Sequence, residues 1–327
     1  MKSLFTFLIM LFCLGSARAQ TISYTVPKAY KTSISKDDYK QIVDLSVAAI
    51  AKEYPVKQVK DGAVELQGRS QGTLNLDNLI AKCLAAPDKS QWNNVIQDHF
   101  TNLFASVHKQ AHLNVQNFDT AAKYFSLRIY SQQTVAQRGG IDNFVAKTDL
   151  EGTYTMLMLD LPGAFTPISK ALFNSWNKSA AEVFQIAQRN VNKQPIQKIT
   201  KSFDVTGGSI EMSFLGNEDY AGSYALDLAN NSPELVGKWG AVVAIPNKGL
   251  VNICRISPEK PVDFVQFIQR TKALVEKSYA EHPQPISNRF FWYYQNHFTP
   301  ITVTTGPKGE AMVVAPLGLS TLLTTKN

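Results

Sequence analysis

Val56-Lys57-Gln58-Val59-Lys60-Asp61-Gly62-Ala63-Val64-Glu65-Leu66-Gln67 is the stretch from which the fold of this chain can be read. Apolar and polar residues alternate on either side of Asp61-Gly62, the dipeptide that tight hairpin turns favour because both central positions need positive φ. A hairpin is therefore predicted here. Directly before it, Lys36 to Glu53 carries Tyr39, Ile42, Val43, Val47 and Ile50 at helical spacing, with Ser35 as N-cap. The chain thus passes from a helix straight into a locally paired hairpin.

The same block-wise order continues outward. A helix over Asp77 to Ala86 stops at Pro87; Asp88, with Gln91 in the capping-box position, opens another with the stripe Trp92, Val95, Ile96, Phe100, Leu103, Phe104 and Val107. Tyr124 to Tyr130 and Thr153 to Leu161 read as strands, separated by a polar stretch whose Arg138-Gly139-Gly140 predicts a loop. Ser179-Ala180-Ala181-Glu182 is a capping box, and Val183, Phe184, Ala187 and Val191 give its helix an apolar face. Beyond Pro195 the chain is strand-rich, interrupted by a helix over Val262 to Tyr279 carrying Phe264, Val265, Ile268, Leu274 and Val275. Val242 to Ile245 closes in the turn Pro246-Asn247-Lys248-Gly249, and Leu250 to Ile256 follows as a strand. Arg289–Tyr294, Ile301–Thr305 and Ala311–Ala315 form a last antiparallel set, with Gly306-Pro307-Lys308-Gly309 as a turn. Blocks of helices and hairpins, without strict βαβ alternation, predict an α+β fold with antiparallel or mixed sheets and packed helices. Residues 20–120 form a helix-rich region and 121–327 a strand-rich one, either as two domains or as one continuous domain.

Residues 1–19 have the form of an export signal. Lys2 is followed by the apolar run Leu4 to Leu14 and by Ala17-Arg18-Ala19, a small-x-small cleavage pattern. Cleavage near Ala19 would release a secreted or periplasmic protein beginning at Gln20. No later apolar run reaches the ~20 residues of a membrane span. With the leader go only Lys2 and Arg18 of the 33 basic residues, against 26 acidic ones, so the remainder is mildly basic and lacks the clustered charge of a nucleic-acid binder. Arg189, Lys193, Lys198 and Lys201 read as a solvated helix end and the loop after it. Cys83 and Cys254 both fall at apolar positions and read as small core residues, although export would also permit a bridge between them.

The familiar catalytic patterns are missing. His108 and His112 have zinc-binding spacing, but Lys109 occupies the place of the metalloprotease glutamate, and His99 lies on nearly the opposite helix face. There is no Gly-x-Ser-x-Gly, and the Ser-x-x-Lys matches at Ser33 and Ser175 lack the partner motifs of penicillin-recognising enzymes. Walker and dinucleotide glycine patterns are absent as well. No catalytic residue, metal ligand or cofactor is assigned. Glu218-Asp219 and Asp37-Asp38 are the notable acidic clusters, and they read as solvated or capping groups.

The run Arg289-Phe290-Phe291-Trp292-Tyr293-Tyr294 is expected to be a strand covered on both faces, one by the core and the other by a helix such as Val262 to Tyr279. If one face were open, its rings would form a sugar or peptide platform, which makes Trp292, Tyr294 and Arg289 the candidate ligand-binding residues.

The strand ending Leu159-Asp160-Leu161, the link Trp176-Asn177-Lys178-Ser179 and the helix ending Ala187-Gln188-Arg189-Asn190 carry a family likeness. With Thr73-Leu74-Asn75-Leu76-Asp77-Asn78-Leu79 and Ala244-Ile245-Pro246-Asn247, they resemble the bacterial domain-of-unknown-function 1444 (YtpQ-like) family over most of the chain after the leader. The sequence departs from that pattern in having a leader and in placing Lys248-Gly249 where an Arg-Asp pair is expected. The resemblance implies an α+β fold, no assigned activity and no catalytic residue. The expectation for function is an exported binding or accessory module with an unknown ligand or protein partner. The alternative is a hydrolase of envelope polymers that uses carboxylates such as Glu218 and Asp219.

Overall fold

The structure, a computed structural model, describes residues 21–27, 30–67, 73–110, 113–137, 139–161, 164–205, 208–307 and 310–324. The leader, His112, Arg138 and the Lys308-Gly309 half of the last turn lie outside these residues. The chain divides into two compact units between Phe100 and Thr101, inside a helix and ahead of the change in character near residue 120.

In the first unit, β1 (Thr21–Ile22), α1 (Lys36–Ile50), β2 (Val56–Lys60), β3 (Ala63–Leu66), β4 (Thr73–Asn75), α2 (Asp77–Ala85) and the start of α3 (Trp92–Gln110) follow in order. Ser35 caps α1 by accepting from the Asp38 amide at 3.1 Å. The β2–β3 hairpin turns on Asp61 and Gly62 with φ of 50° and 76°, as the dipeptide requires. The sheet runs β1-β2-β3-β4, with β1 parallel to β2 and the remainder antiparallel. Tyr39, Ile42, Val59, Val64, Leu79, Cys83 and Trp92 are buried, and the Trp92 indole donates to the Cys83 carbonyl at 2.7 Å. Asp88 accepts from the Ser90 amide, so a 3-10 turn precedes α3.

The second unit continues with α4 (Phe118–Ala122), β5 (Phe125–Ser131), α5 (Gln132–Gln137), β6 (Ala146–Lys147), β7 (Thr153–Leu161), β8 (Ala164–Pro167), α6 (Lys170–Ser175) and α7 (Ala180–Val191). Then come β9 (Gln197–Val205), β10 (Gly208–Gly216), α8 (Ala221–Tyr224), α9 (Leu228–Asn231), β11 (Ala241–Asn247), β12 (Leu250–Arg255), α10 (Asp263–Glu281), β13 (Phe290–Tyr294), β14 (His297–Thr305), β15 (Ala311–Val314) and α11 (Leu317–Thr324). A seven-stranded antiparallel sheet runs β15-β14-β13-β11-β12-β10-β9, and a smaller antiparallel sheet is built around β7. Both sheets and their helices fit the α+β class.

Alternation along β11 and β13 divides the core in two, since successive side chains leave a strand on opposite faces. Val242, Ala244, Phe290 and Trp292 pack with Phe264, Phe267 and Ile268 of α10, while Ala241, Val243, Phe291 and Tyr293 pack with Leu127, Leu157 and α7. The aromatic strand is therefore covered on both sides. Lys198 and Lys201, read as loop residues, lie instead on β9, the edge strand of the large sheet. Most of β9 is exposed, and only Phe203 and Val205 pack partly against the core, so its alternation is weak.

Candidate functional site

Arg128 is the one charged residue in β5, a strand otherwise apolar or hydroxyl-bearing and almost wholly buried. Its guanidinium Nη2 donates to Asp219 Oδ1 at 2.7 Å, and the Lys248 ammonium donates to the same oxygen, also at 2.7 Å. Both cations are desolvated, with side-chain exposures of 7% and 4%. Burying two charges is costly unless they are paired, so the Asp219 carboxylate holds this part of the fold together. The guanidinium also lies 3.9 Å from the Phe165 ring centroid, and that ring leans on Tyr220, whose hydroxyl donates to Asp160 Oδ2.

The two carboxylates respond oppositely. Burial pushes Asp219 up, but the Lys248 and Arg128 charges outweigh it and hold the carboxyl below its ordinary value. Burial, with a contribution from the Asp219 charge, raises Asp160 despite the opposing pull of Tyr220 and Arg128. Backbone bonds fix the segment that carries Asp219. Asn217 Oδ1 accepts from the Asp219 and Tyr220 amides, and the Gly222 amide donates to the Lys248 carbonyl at the β11–β12 turn. Lys248, placed by the sequence in a turn, is enclosed because its partner arrives from elsewhere in the chain.

From Tyr220 the chain runs through α8 to Leu226, Asp227 and, on α9, Asn230, which form one wall of a cleft of about 830 Å³. The opposite wall is the polar flank of α7. Val183, Phe184, Ala187 and Val191 turn toward the core, which leaves Gln185, Gln188, Arg189 and Asn192 along the cleft. Gln188 Nε2 donates to Asn192 Oδ1 and to the Ser223 carbonyl; Asn192 Nδ2 donates to Asp227 Oδ2 at 2.6 Å, and Asn230 Nδ2 to Asp227 Oδ1 at 2.7 Å. These bonds make the floor rigid. Lys147 and Asp149 pair at 3.0 Å on a third side, and Asn296 enters from the β13–β14 turn, where Gln295 and Asn296 have positive φ.

The residues singled out in the sequence lie elsewhere. Trp292 is 6% exposed, stacks on half-buried Tyr294 at 4.9 Å and donates its indole proton to the Trp239 carbonyl. That burial removes its ring from solvent. Arg289 is exposed and pairs with Glu151 at 2.6 Å. Glu218 is exposed, whereas its neighbour Asp219 is held by the two cations. His108 is exposed, and His99 sits edge-on to Phe100, where burial and then the Lys82 charge lower it to about 4. Cys83 and Cys254 are free and buried. Arg128, Asp160, Lys248 and the amides of the cleft were not legible in advance, since no motif joins residues so far apart. A lone arginine in an apolar strand was the one local signal.

The chain matches no protein-family model, and comparison with curated proteins and with solved structures finds no similar chain. No described helix is long and apolar enough to cross a membrane.

Proposed function

We propose that this protein is an exported binding module that receives its ligand in the cleft between α7 and the α8–α9 segment. The observation that carries this reading is the hydrogen-bonded floor of Gln188, Asn192 and Asp227 beneath a cleft of ligand-binding size. A preorganised polar floor lowers the ordering cost of binding. Export rests on the leader, and N-terminal sequencing of protein recovered from the envelope or medium should begin near Gln20. To test the cleft, an enzymatic digest of peptidoglycan is titrated onto isotope-labelled protein. Side-chain amide resonances of Gln185, Gln188, Asn192, Asn230 and Asn296 should shift together; a titration that leaves them unmoved counts against the cleft.

A second reading, hydrolysis by paired carboxylates, draws on the opposite displacements of Asp160 and Asp219, the pattern by which acid and base roles separate. Against it, Asp219 is already engaged by two buried cations. Release of reducing ends from peptidoglycan that disappears in Asp160→Asn would favour the hydrolase.

A further inference from the structure

We infer that the occupant of the cleft is a neutral oligosaccharide. This deepens the reading of the cleft as a binding site and rests on it. The argument begins with which polar atoms are already committed. Gln188, Asn192 and Asp227 spend their hydrogen bonds on one another and on the backbone. Around them, groups face the cleft with capacity left over. The Gln185 carboxamide has no partner among the described residues; Asn296 uses its Oδ1 to accept from the Tyr293 hydroxyl and keeps both Nδ2 protons; Asn230 keeps its Oδ1. Asp149 adds nothing to this set, since its Oδ1 takes the Lys147 ammonium and its Oδ2 is closed to solvent.

The cleft therefore offers uncommitted donors and uncommitted acceptors side by side. A sugar hydroxyl is both donor and acceptor, so a ring with several hydroxyls matches such a set without carrying charge. An anionic ligand would gain Arg189, but that guanidinium is exposed, where water and salt screen an ion pair to little net value. The same ligand would also face the Asp227 carboxylate, which no cation neutralises among the bonds it makes. A cationic ligand would find both Asp227 oxygens already taken by the Asn192 and Asn230 amides, and Asp149 already paired with Lys147. A peptide strand lacks a suitable template, because β6, the strand lining the cleft, has two residues and offers almost no ladder to extend. Leu226 and Ala181 supply apolar surface for the C–H faces of the sugar.

The test titrates chitotetraose, cellotetraose, trigalacturonate and penta-alanine separately onto the purified protein, following the cleft amide resonances and the heat of binding. Saturable binding of a neutral sugar is expected, with a Kd of ~1 mM or tighter, weakened about tenfold by Gln185→Ala and by Asn296→Gly and little changed by Arg189→Ala. Gln185 is exposed, so its variant should fold; Asn296→Gly keeps a residue that tolerates positive φ. Neutral-sugar binding that ignores both variants would overturn the proposal. If only trigalacturonate or penta-alanine shifts the cleft amides, the neutral sugar fails as occupant and the cleft stands. If none of the four probes shifts them, both fail.

Discussion

Trp292 and Asp160 illustrate how much a single side chain decides here. With its ring enclosed between α10, Tyr294 and α11, and its indole proton on Trp239, truncation leaves both a cavity and an orphaned carbonyl. Trp292→Ala should cost ~3–5 kcal/mol in urea unfolding, the range for large aromatic-to-alanine changes in cores. A variant with the wild-type midpoint would contradict the burial. Asp160 contributes one pH dependence. Its folded pKa lies above the ordinary 3.8, so the folded state holds a proton that the unfolded state has released, and stability falls as pH rises from there through the folded value. Asp219 works in reverse: its folded pKa is depressed, so its contribution is present above 3.8 and lost as pH falls through the folded value. Asp160→Asn keeps an acceptor for Tyr220 but removes the first effect. Its urea midpoint, relative to wild type, should therefore increase between about pH 4 and pH 7; a constant difference would refute this.

Among the elements, α7 carries most of the consequence, because one flank closes the core while the other brings Gln185, Gln188 and Arg189 to the cleft, with Asn192 at its C-cap. Its start is fixed by Ser179, whose hydroxyl accepts from the Glu182 amide at 3.2 Å. Ser179→Ala should destabilise the protein by ~1 kcal/mol, and Ser179→Asp should restore most of it, as judged by urea midpoints at constant slope. Helices α1 and α7 were legible because a full apolar stripe and a capping residue mark them locally, and α10 by its stripe alone. The β13–β15 set was legible through its alternation and turns. The four-residue α8 and α9 are too short to show any period, yet they carry the segment from Asp219 to Asn230. In the turn after β11, the sequence could place Lys248 but not bury it, since burial depends on Asp219 and Arg128 arriving from distant positions. Gly240 is similar: a Cβ there would stand 2.2 Å from the Tyr293 carbonyl, a close approach visible only once β11 and β13 are paired.

For the molecule as a whole, the α+β class followed from the order of its blocks, whereas the division at Phe100 did not, because α3 runs through it without a break in its apolar stripe. The cleft was hidden for a related reason: its amides come from α7, α9 and two turns, and carboxamides have no characteristic spacing in sequence. The free cysteines open a different use of the same architecture. Cys83 lies in one unit and Cys254 in the other, 1% and 2% exposed, with burial pushing the thiols up to about 11 and about 12. Each is inert until its surroundings open, so alkylation at Cys83 and at Cys254, resolved by peptide mass, becomes a separate clock for each unit. Smaller units bury a lower fraction of their surface and are less stable, so Cys83 should become modifiable at lower urea than Cys254. Coincident labelling midpoints would mean instead that the chain opens as one cooperative body.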